Sequence, residues 1–236
     1  MTNITANINR VRERLDNAAR AAGRDPAAIT LLAVSKTQPA ASIRAAHAGG
    51  LRDFGENYLQ EALDKIALLR DLADIRWHFI GPIQSNKTRA IAEHFAWAHG
   101  VDRLKIAERL SQQRPAALPP LNVCLQVNID GEASKSGVAP EALPALADAV
   151  AALPGLRLRG LMAIPAPSDD AAAQRAPFFR LAQQLATLRA RLPGLDTLSM
   201  GMSDDLEAAI AEGSTLVRVG TAIFGPRRQN PLENSV

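Results

Sequence analysis

The stretch ITLLAVSK, residues 29–36, is an apolar run of strand length that ends in a lysine. Pro39 follows in a position that starts helices, and Ala40–Ala48 is predicted to be a helix that Gly49 and Gly50 stop. Parallel strands need a crossover connection, which is usually a helix. This strand–helix unit therefore indicates an α/β fold.

The same alternation continues along the chain. Strands are predicted at 29–35, 52–55, 76–80, 96–99, 121–129, 156–164, 197–199 and 215–219. Helices are predicted at 40–48, 57–72, 86–94, 102–113, 139–153, 171–192 and 204–211, with an extra amphipathic helix at 5–22. Eight such units in about 210 residues favour a (β/α)8 TIM barrel over an open sheet. We expect a single domain spanning 1–236, with 226–236 as a polar tail.

Composition narrows the function classes. The 236 residues are 47% hydrophobic, contain no 18-residue apolar run and begin without a secretory signal, so we expect neither a membrane span nor export. The single cysteine, Cys124, excludes a disulfide framework, favours the reducing cytoplasm and is expected to be inert core. The net charge of +3 comes without a basic run, and only 4% of residues are aromatic, which argues against nucleic-acid binding. No histidine shows the spacing of a metal site.

Lys36 stands out because the chain has few lysines, and it directly follows an apolar strand. Strand alternation places Leu32, Val34 and Lys36 on one face, and active sites of TIM barrels lie at the carboxyl ends of the strands. Inside the barrel mouth, desolvation would favour the neutral amine, which attacks carbonyls to form Schiff bases. The alternative is a lysine that reaches solvent from a strand end.

The last two strand ends are typical of a phosphate site. Ser203 follows the strand at 197–199, and Gly220 and Thr221 follow the strand at 215–219. Backbone N–H groups, hydroxyls and a helix N-terminus bind phosphate at this place in TIM barrels. Ser203 as a simple N-cap and Gly220 as a turn residue are the alternatives. Barrel closure sets the last strand beside the first at about 4.8 Å, so a reactive lysine and a phosphate site would meet. Pyridoxal 5′-phosphate fits this pair, and so does the substrate of a Schiff-base phosphosugar lyase or aldolase.

Several motifs together resemble one family, the YggS/PROSC-type pyridoxal phosphate homeostasis proteins. The motifs are LAVSKT at 32–37, FGEN at 54–57, WHFIG at 77–81 with QSNK at 84–87, SMGMSDD at 199–205 and VRVGTAIFG at 217–225. The resemblance covers nearly the whole chain. It implies the barrel of the alanine racemase N-terminal domain, pyridoxal phosphate as cofactor, and a role in supplying that cofactor to apoenzymes, without robust catalysis.

The resemblance also implies cofactor-binding residues, which are Lys36, Asn57, Met162, Ser203, Arg218, Gly220 and Thr221. Lys36 would hold the cofactor as an internal aldimine, and Ser203, Gly220 and Thr221 would bind its phosphate. Arg218 would face the pyridine nitrogen, and because a guanidinium stays charged it should leave that nitrogen unprotonated, which weakens carbanion stabilisation. Asn57 would lie beside the ring. Met162 is expected either near the ring or in the plain core.

An amino-acid racemase is the alternative function. A racemase of the resembled fold needs a second base, a tyrosine supplied with a second domain, whereas the only tyrosine here is Tyr58 on the second predicted helix. We therefore favour a carrier, expected to be a monomer, over a racemase. His78 is expected to be a core or supporting histidine rather than a catalytic one. Glu56 and Lys135 have both structural and site interpretations, and the role of Lys87 stays open.

Overall fold

The computed structural model describes residues 3–132 and 136–226. The strands are β1 (Thr30–Val34), β2 (Asp53–Glu56), β3 (Arg76–Phe79), β4 (Trp97–Val101), β5 (Leu121–Gln126), β6 (Leu156–Met162), β7 (Thr197–Ser199) and β8 (Leu216–Val219). The helices are α1 (Ile4–Ala21), α2 (Ala40–Ala48), α3 (Leu59–Leu68), α4 (Thr88–His94), α5 (Leu104–Gln113), α6 (Leu143–Ala151), α7 (Ala171–Arg189), α8 (Leu206–Ala211) and α9 (Thr221–Phe224), with a 3₁₀ turn at Pro26–Ala28.

The strands form a closed barrel in the order of the sequence, and every neighbouring pair is parallel. Closure joins β1 to β8, where Leu32 is paired with Arg218 and Ala33 with Val219. The (β/α)8 barrel predicted from the sequence is therefore confirmed. The meeting of the first and last strands, on which the predicted site depends, is confirmed with it.

Side chains of the strands alternate between the barrel interior and the surrounding helices. Leu32, Ile80 and Leu216 pack together inside the barrel. Phe54, Trp77 and Phe79 face outward into the larger core between strands and helices. This alternation follows from the two-residue period of a strand, and it directs Leu32 and Val34 toward the side from which Lys36 emerges.

The extra N-terminal helix α1 braces the carboxyl end of the barrel. Its buried residues include Ile8, Val11 and Leu15, the predicted apolar face. Asn7 Nδ2 donates to the Ile223 carbonyl of α9 at 2.8 Å. Arg14 Nη2 donates to the Ser203 carbonyl just before α8 at 2.9 Å. Helix α1 thus holds both short helices that border the site.

Element bounds differ from the sequence predictions mainly at their ends. Strands β5 and β6 end at Gln126 and Met162, before the predicted ends at 129 and 164, because there the chain leaves the ladder for the loops around the mouth. The sequence Asp25-Pro26 predicts a turn, and the structure has the 3₁₀ turn there at Pro26–Ala28. Helix α9 was not predicted, since four residues carry no helical period.

The predicted tail, 226–236, lies outside the described residues except for Pro226, and Lys135 lies outside them too. The single-domain extent 1–236 stays a prediction. Among the described residues, no helix combines the length and apolar character that crossing a membrane requires.

Candidate functional site

A cavity of about 260 Å³ opens at the carboxyl ends of the strands. Its walls are formed by Val34, Lys36, Gln38, Asn57, Ile80, Ile164, Met202, Ser203, Asp204, Arg218, Gly220, Thr221 and Gly225. Six of the residues that the resemblance implied are among them: Lys36, Asn57, Ser203, Arg218, Gly220 and Thr221. The structure therefore brings together an amine, a guanidinium and two hydroxyl side chains that are far apart in sequence.

Lys36 enters the cavity from the turn after β1. It is partly buried, and it follows Leu32 and Val34 on the interior side of the strand. The next residue, Thr37, has φ of 63°, the left-handed conformation that non-glycine residues seldom adopt. The backbone thus turns sharply immediately after the lysine.

A buried ionic cluster holds the backbone on both sides of Lys36. Lys65 Nζ donates to the Ser35 carbonyl at 2.7 Å and to Glu56 Oε1 at 2.8 Å, and it also pairs with Glu61. The Ser35 hydroxyl donates to Glu56 Oε1 at 2.6 Å, and the Thr37 N–H donates to Glu61 Oε1 at 2.6 Å. These bonds fix the turn from which Lys36 projects.

The carboxylate at the centre of this cluster, Glu56, is fully buried. Burial raises its pKa above the ordinary value, while the charge and hydrogen bond of Lys65 and the hydroxyl of Ser35 act against that rise. Glu56 faces α3 rather than the cavity, so of its two interpretations the structure favours a supporting role. No sequence pattern indicates that Lys65, on an amphipathic helix, is buried.

Ser203 lies in a turn that a glycine makes possible. Gly201, between β7 and α8, has φ of +93°, and a Cβ added to it would lie 2.6 Å from the Ala209 Cβ. Only glycine fits there without displacing α8. The Met202 N–H then donates to Asp205 Oδ1 at 2.5 Å, which closes the turn and presents Ser203 to the cavity.

Gly220 and Thr221 form the opposite edge of the same wall. A Cβ on Gly220 would lie 3.2 Å from the Val34 carbonyl oxygen, so the end of β8 passes tightly against the end of β1. Thr221 is the first residue of α9, and the first N–H groups of a helix have no intrahelical partner. Hydroxyls and helix-end N–H groups are suitable donors for a phosphate.

Arg218 forms the floor of the cavity and is almost completely buried. Its Nη1 donates to the Ser199 carbonyl at 2.5 Å and to the Ser199 hydroxyl at 2.9 Å, and its Nη2 donates to the Ala163 carbonyl at 2.9 Å. Burial lowers the pKa of Arg218 to about 10, which still leaves it charged at neutral pH. The floor therefore carries a fixed positive charge.

Asn57 and Met162 are placed differently. Asn57 lines the cavity, and its Oδ1 is buried without a hydrogen-bond partner. Met162 is fully buried and lies opposite Ser199 in the pairing of β6 with β7. The Ser199 hydroxyl contacts Arg218 inside the barrel, but Met162 itself does not line the cavity. Ile164, two residues further along, forms the wall instead. Of the two expectations for Met162, the structure favours the plain core.

Three other described residues singled out from the sequence lie outside the cavity wall. His78 is buried inside the barrel and contacts Asp53 and His99, as expected for a supporting histidine. Lys87 is not in the cavity wall. Cys124 is fully buried, and burial raises the pKa of its thiol to about 12, which keeps it inert. Within residues 3–132 and 136–226, no group of acidic, histidine or cysteine side chains is arranged to hold a metal ion.

Comparison with known proteins agrees with the fold. The sequence matches the family model of the alanine racemase N-terminal domain over residues 2–228. A pyridoxal phosphate homeostasis protein of Pseudomonas aeruginosa is 70% identical over 227 residues, which are 96% of this chain and 97% of that protein. The chain belongs to the family of pyridoxal phosphate homeostasis proteins. The resemblance drawn from the sequence motifs is therefore confirmed.

Other members of the family match over a similar extent. The pyridoxal phosphate homeostasis protein of Escherichia coli K12 is 57% identical over 229 residues, which are 96% of this chain and 98% of that protein. Among solved structures, PipY of Synechococcus elongatus with pyridoxal phosphate bound superposes with a TM-score of 0.79 and 42% identity, covering 91% of this chain and 100% of PipY.

Proposed function

We propose that this protein binds pyridoxal 5′-phosphate as a Schiff base on Lys36 and supplies the cofactor to apoenzymes. The observation that carries the proposal is the shared cavity, in which the amine of Lys36 faces the same space as Ser203, Thr221 and Arg218. The related PipY has been solved with pyridoxal phosphate bound.

The residues of the cavity fit this cofactor. A phosphate needs donors, which Ser203 and the start of α9 at Thr221 supply. An aldehyde needs a primary amine, which Lys36 supplies. The buried Asn57 Oδ1, which lacks a partner, is an acceptor that a polar ring substituent would satisfy. The apolar side chains of Ile80 and Ile164 complete the walls against which an aromatic ring would pack.

Each side chain has a distinct part in this proposal. Pyridoxal phosphate supplies a reactive aldehyde on an electron-withdrawing ring. Ser203 and Thr221 orient the phosphate, and the cluster around Lys65 directs the Lys36 amine toward the aldehyde. Arg218 presents a charged donor from the floor of the cavity, which disfavours a protonated ring nitrogen. This arrangement suits holding the cofactor more than driving carbanion chemistry.

A racemase on this site would need a second acid–base residue opposite Lys36. Tyr58, the only tyrosine, is 56% exposed and is not in the cavity wall. We therefore keep the carrier as the proposal and add that it acts as a monomer in the cytoplasm. Racemisation of amino acids at ordinary enzymatic rates, about 10 per second, would overturn this preference.

Mass spectrometry tests the binding proposal. The protein is incubated with pyridoxal phosphate, reduced with borohydride and digested, and we expect the pyridoxyl group on Lys36. The Lys36→Ala variant should lose both the label and the visible absorption band. Lys105→Ala, an exposed lysine on α5, is the matched control and should keep both. Labelling that survives Lys36→Ala at the same level would refute the proposal.

A transfer assay tests the supply role. The loaded protein is mixed with a pyridoxal phosphate-dependent apoenzyme, and recovery of the apoenzyme's activity is followed over time. Spontaneous release of the cofactor into buffer is measured separately by dialysis of the loaded protein at the same protein concentration. We expect the apoenzyme to recover activity faster than this spontaneous release would allow. Equal rates would reject direct supply while leaving the binding proposal intact.

A further inference from the structure

A chain of polar side chains crosses the interior of the barrel below the cavity. Asp53 Oδ1 lies 2.9 Å from His78 Nε2, and His78 Nδ1 lies 3.0 Å from His99 Nε2. His99 Nδ1 lies 2.8 Å from the Ser199 hydroxyl, which in turn accepts from Arg218 Nη1 at 2.9 Å. These residues come from β2, β3, β4, β7 and β8, and all of them are buried.

The Asp53 end fixes the direction of every hydrogen bond when both histidines are neutral. The Asp53 carboxylate can only accept, so the proton of each ring lies on Nε2, and His99 Nδ1 accepts from the Ser199 hydroxyl, whose oxygen accepts from Arg218. A neutral His99 then carries its proton on Nε2 and donates to His78 Nδ1. His78 likewise carries its proton on Nε2 and donates to the Asp53 carboxylate. One arrangement thus satisfies all the bonds, with both histidines neutral and protonated on Nε2.

The charges around the chain agree with this arrangement. Burial lowers the pKa of both His78 and His99, although Asp53 opposes this for both residues. A proton on His78 and the charge of Arg218 each disfavour a charged His99 and lower its pKa, and Arg76 lowers that of His78. At the far end Arg76 also pairs with Asp53, at 2.6 and 2.5 Å. Arg218 in turn lies in the field of Asp205.

We propose that Asp53, His78, His99 and Ser199 are positioning residues that hold Arg218 in one orientation as a charged donor at the floor of the cofactor cavity. Their effect on the cofactor passes through the guanidinium, because none of the four lines the cavity. The chain also reaches the amino end of the barrel, where Asp53 and His78 line a separate groove with Arg76 and Arg159. The part of this proposal that concerns the cofactor rests on the proposed function.

Histidine tautomers in the unloaded protein give a test that is independent of any cofactor. Nitrogen-15 NMR of histidine-labelled protein should show two residues that are neutral and protonated on Nε2 at neutral pH and that gain a proton only below the ordinary histidine pKa. The chain has four histidines, so His47→Gln and His94→Gln assign the other two signals. A proton on Nδ1 of His78 or His99, or a charged ring at neutral pH, would refute this relay of hydrogen bonds from Asp53 to Arg218.

The loaded protein tests the link to the cofactor. Ser199→Ala removes the hydroxyl that joins His99 to Arg218, and Ser199→Thr retains a hydroxyl. We expect Ser199→Ala to keep the visible absorption band of the Schiff base. Pyridoxal phosphate binding should weaken about three- to ten-fold, as for one lost hydrogen bond. The midpoint of the band, which is the pH at which its absorbance is half changed, should also shift. Ser199→Thr should restore the midpoint.

Asp196→Asn is the matched control at the amino end of the barrel. Asp196 lines the same groove as Asp53 but bonds Arg159 and Thr197 instead of the relay, so this change should move neither the affinity nor the midpoint. If Ser199→Ala changes neither the affinity for pyridoxal phosphate nor the pH midpoint of the band, the positioning role is refuted. Absence of the band from the unaltered protein would instead refute the proposed function.

Discussion

At the scale of single residues, the same side chain has opposite roles according to what surrounds it. Lys65 is buried and forms ion pairs with two carboxylates, Glu56 and Glu61, which give it a structural role. Lys36 instead lines the cavity whose floor is Arg218, where the proposed function gives its amine a chemical role. The surroundings of a lysine, more than its identity, therefore separate a structural part from a proposed binding part.

Asp53 gives a prediction about acid stability. Burial by itself raises its pKa, but hydrogen bonds from Arg76 and His78 outweigh this and lower the pKa to about 2, from 3.8. Because the folded-state pKa is the lower one, the stabilisation is complete above pH 3.8 and is lost as the pH falls from 3.8 toward 2. By linkage it amounts to about 2 kcal/mol.

Urea unfolding at a series of pH values measures this loss. We expect Asp53→Asn to be less stable at neutral pH and to show a flatter decline between about pH 4 and pH 2 than the unaltered protein. Asp148→Asn, at an exposed ion pair on α6, should leave the decline unchanged. An equally steep decline in Asp53→Asn would show that this carboxylate does not set the acid limit.

At the scale of elements, the turn after β1 depends on helix α3. Lys65 on α3 binds the Ser35 carbonyl, and Glu61 on the same helix accepts from the Thr37 N–H, so α3 grips the chain on both sides of Lys36. Moving or weakening α3 would therefore misplace the Lys36 amine even though no residue of the helix lines the cavity.

Lys65→Met tests this coupling. Removing the cation leaves Glu56 buried and uncompensated, so we expect a loss of about 3–5 kcal/mol in the free energy of unfolding, measured in urea, and weaker pyridoxal phosphate binding. Adding Glu56→Gln removes the unpaired charge and should recover part of the stability. Lys105→Met on the exposed side of α5 should change neither quantity. If the double variant is no more stable than Lys65→Met, the burial cost of Glu56 is not the cause.

At the scale of the whole molecule, the sequence predicted the barrel because alternation of strands and helices is a local pattern. It also predicted which strand ends meet, because a closed barrel of eight strands in sequence order sets β1 next to β8. The series of hydrogen-bonded side chains that runs from Asp53 through the two histidines to Arg218 was not predicted. His78 and His99 are 21 residues apart in sequence, and their contact exists only across β3 and β4. The burial of Lys65 was missed for the same reason, as its partners come from other elements.

Barrel closure gives a prediction for the stability of the loaded protein. A ligand bound to Lys36 after β1 and to Thr221 after β8 ties the two strands that close the barrel. Pyridoxal phosphate at 100 times its Kd should stabilise the fold by about 2.7 kcal/mol, which for a domain of this size raises Tm by roughly 5–10 °C.

Pyridoxal, which lacks the phosphate, separates the two attachment points. Ser203→Ala should reduce the rise in Tm caused by pyridoxal phosphate and leave the smaller rise caused by pyridoxal unchanged, because Ser203 is proposed to contact only the phosphate. Lys36→Ala should reduce both. Differential scanning fluorimetry at matched ligand concentrations measures all four combinations. An equal effect of Ser203→Ala on the two ligands would mean that the β7 and β8 ends do not bind phosphate, and that closure of the barrel is not what the cofactor stabilises.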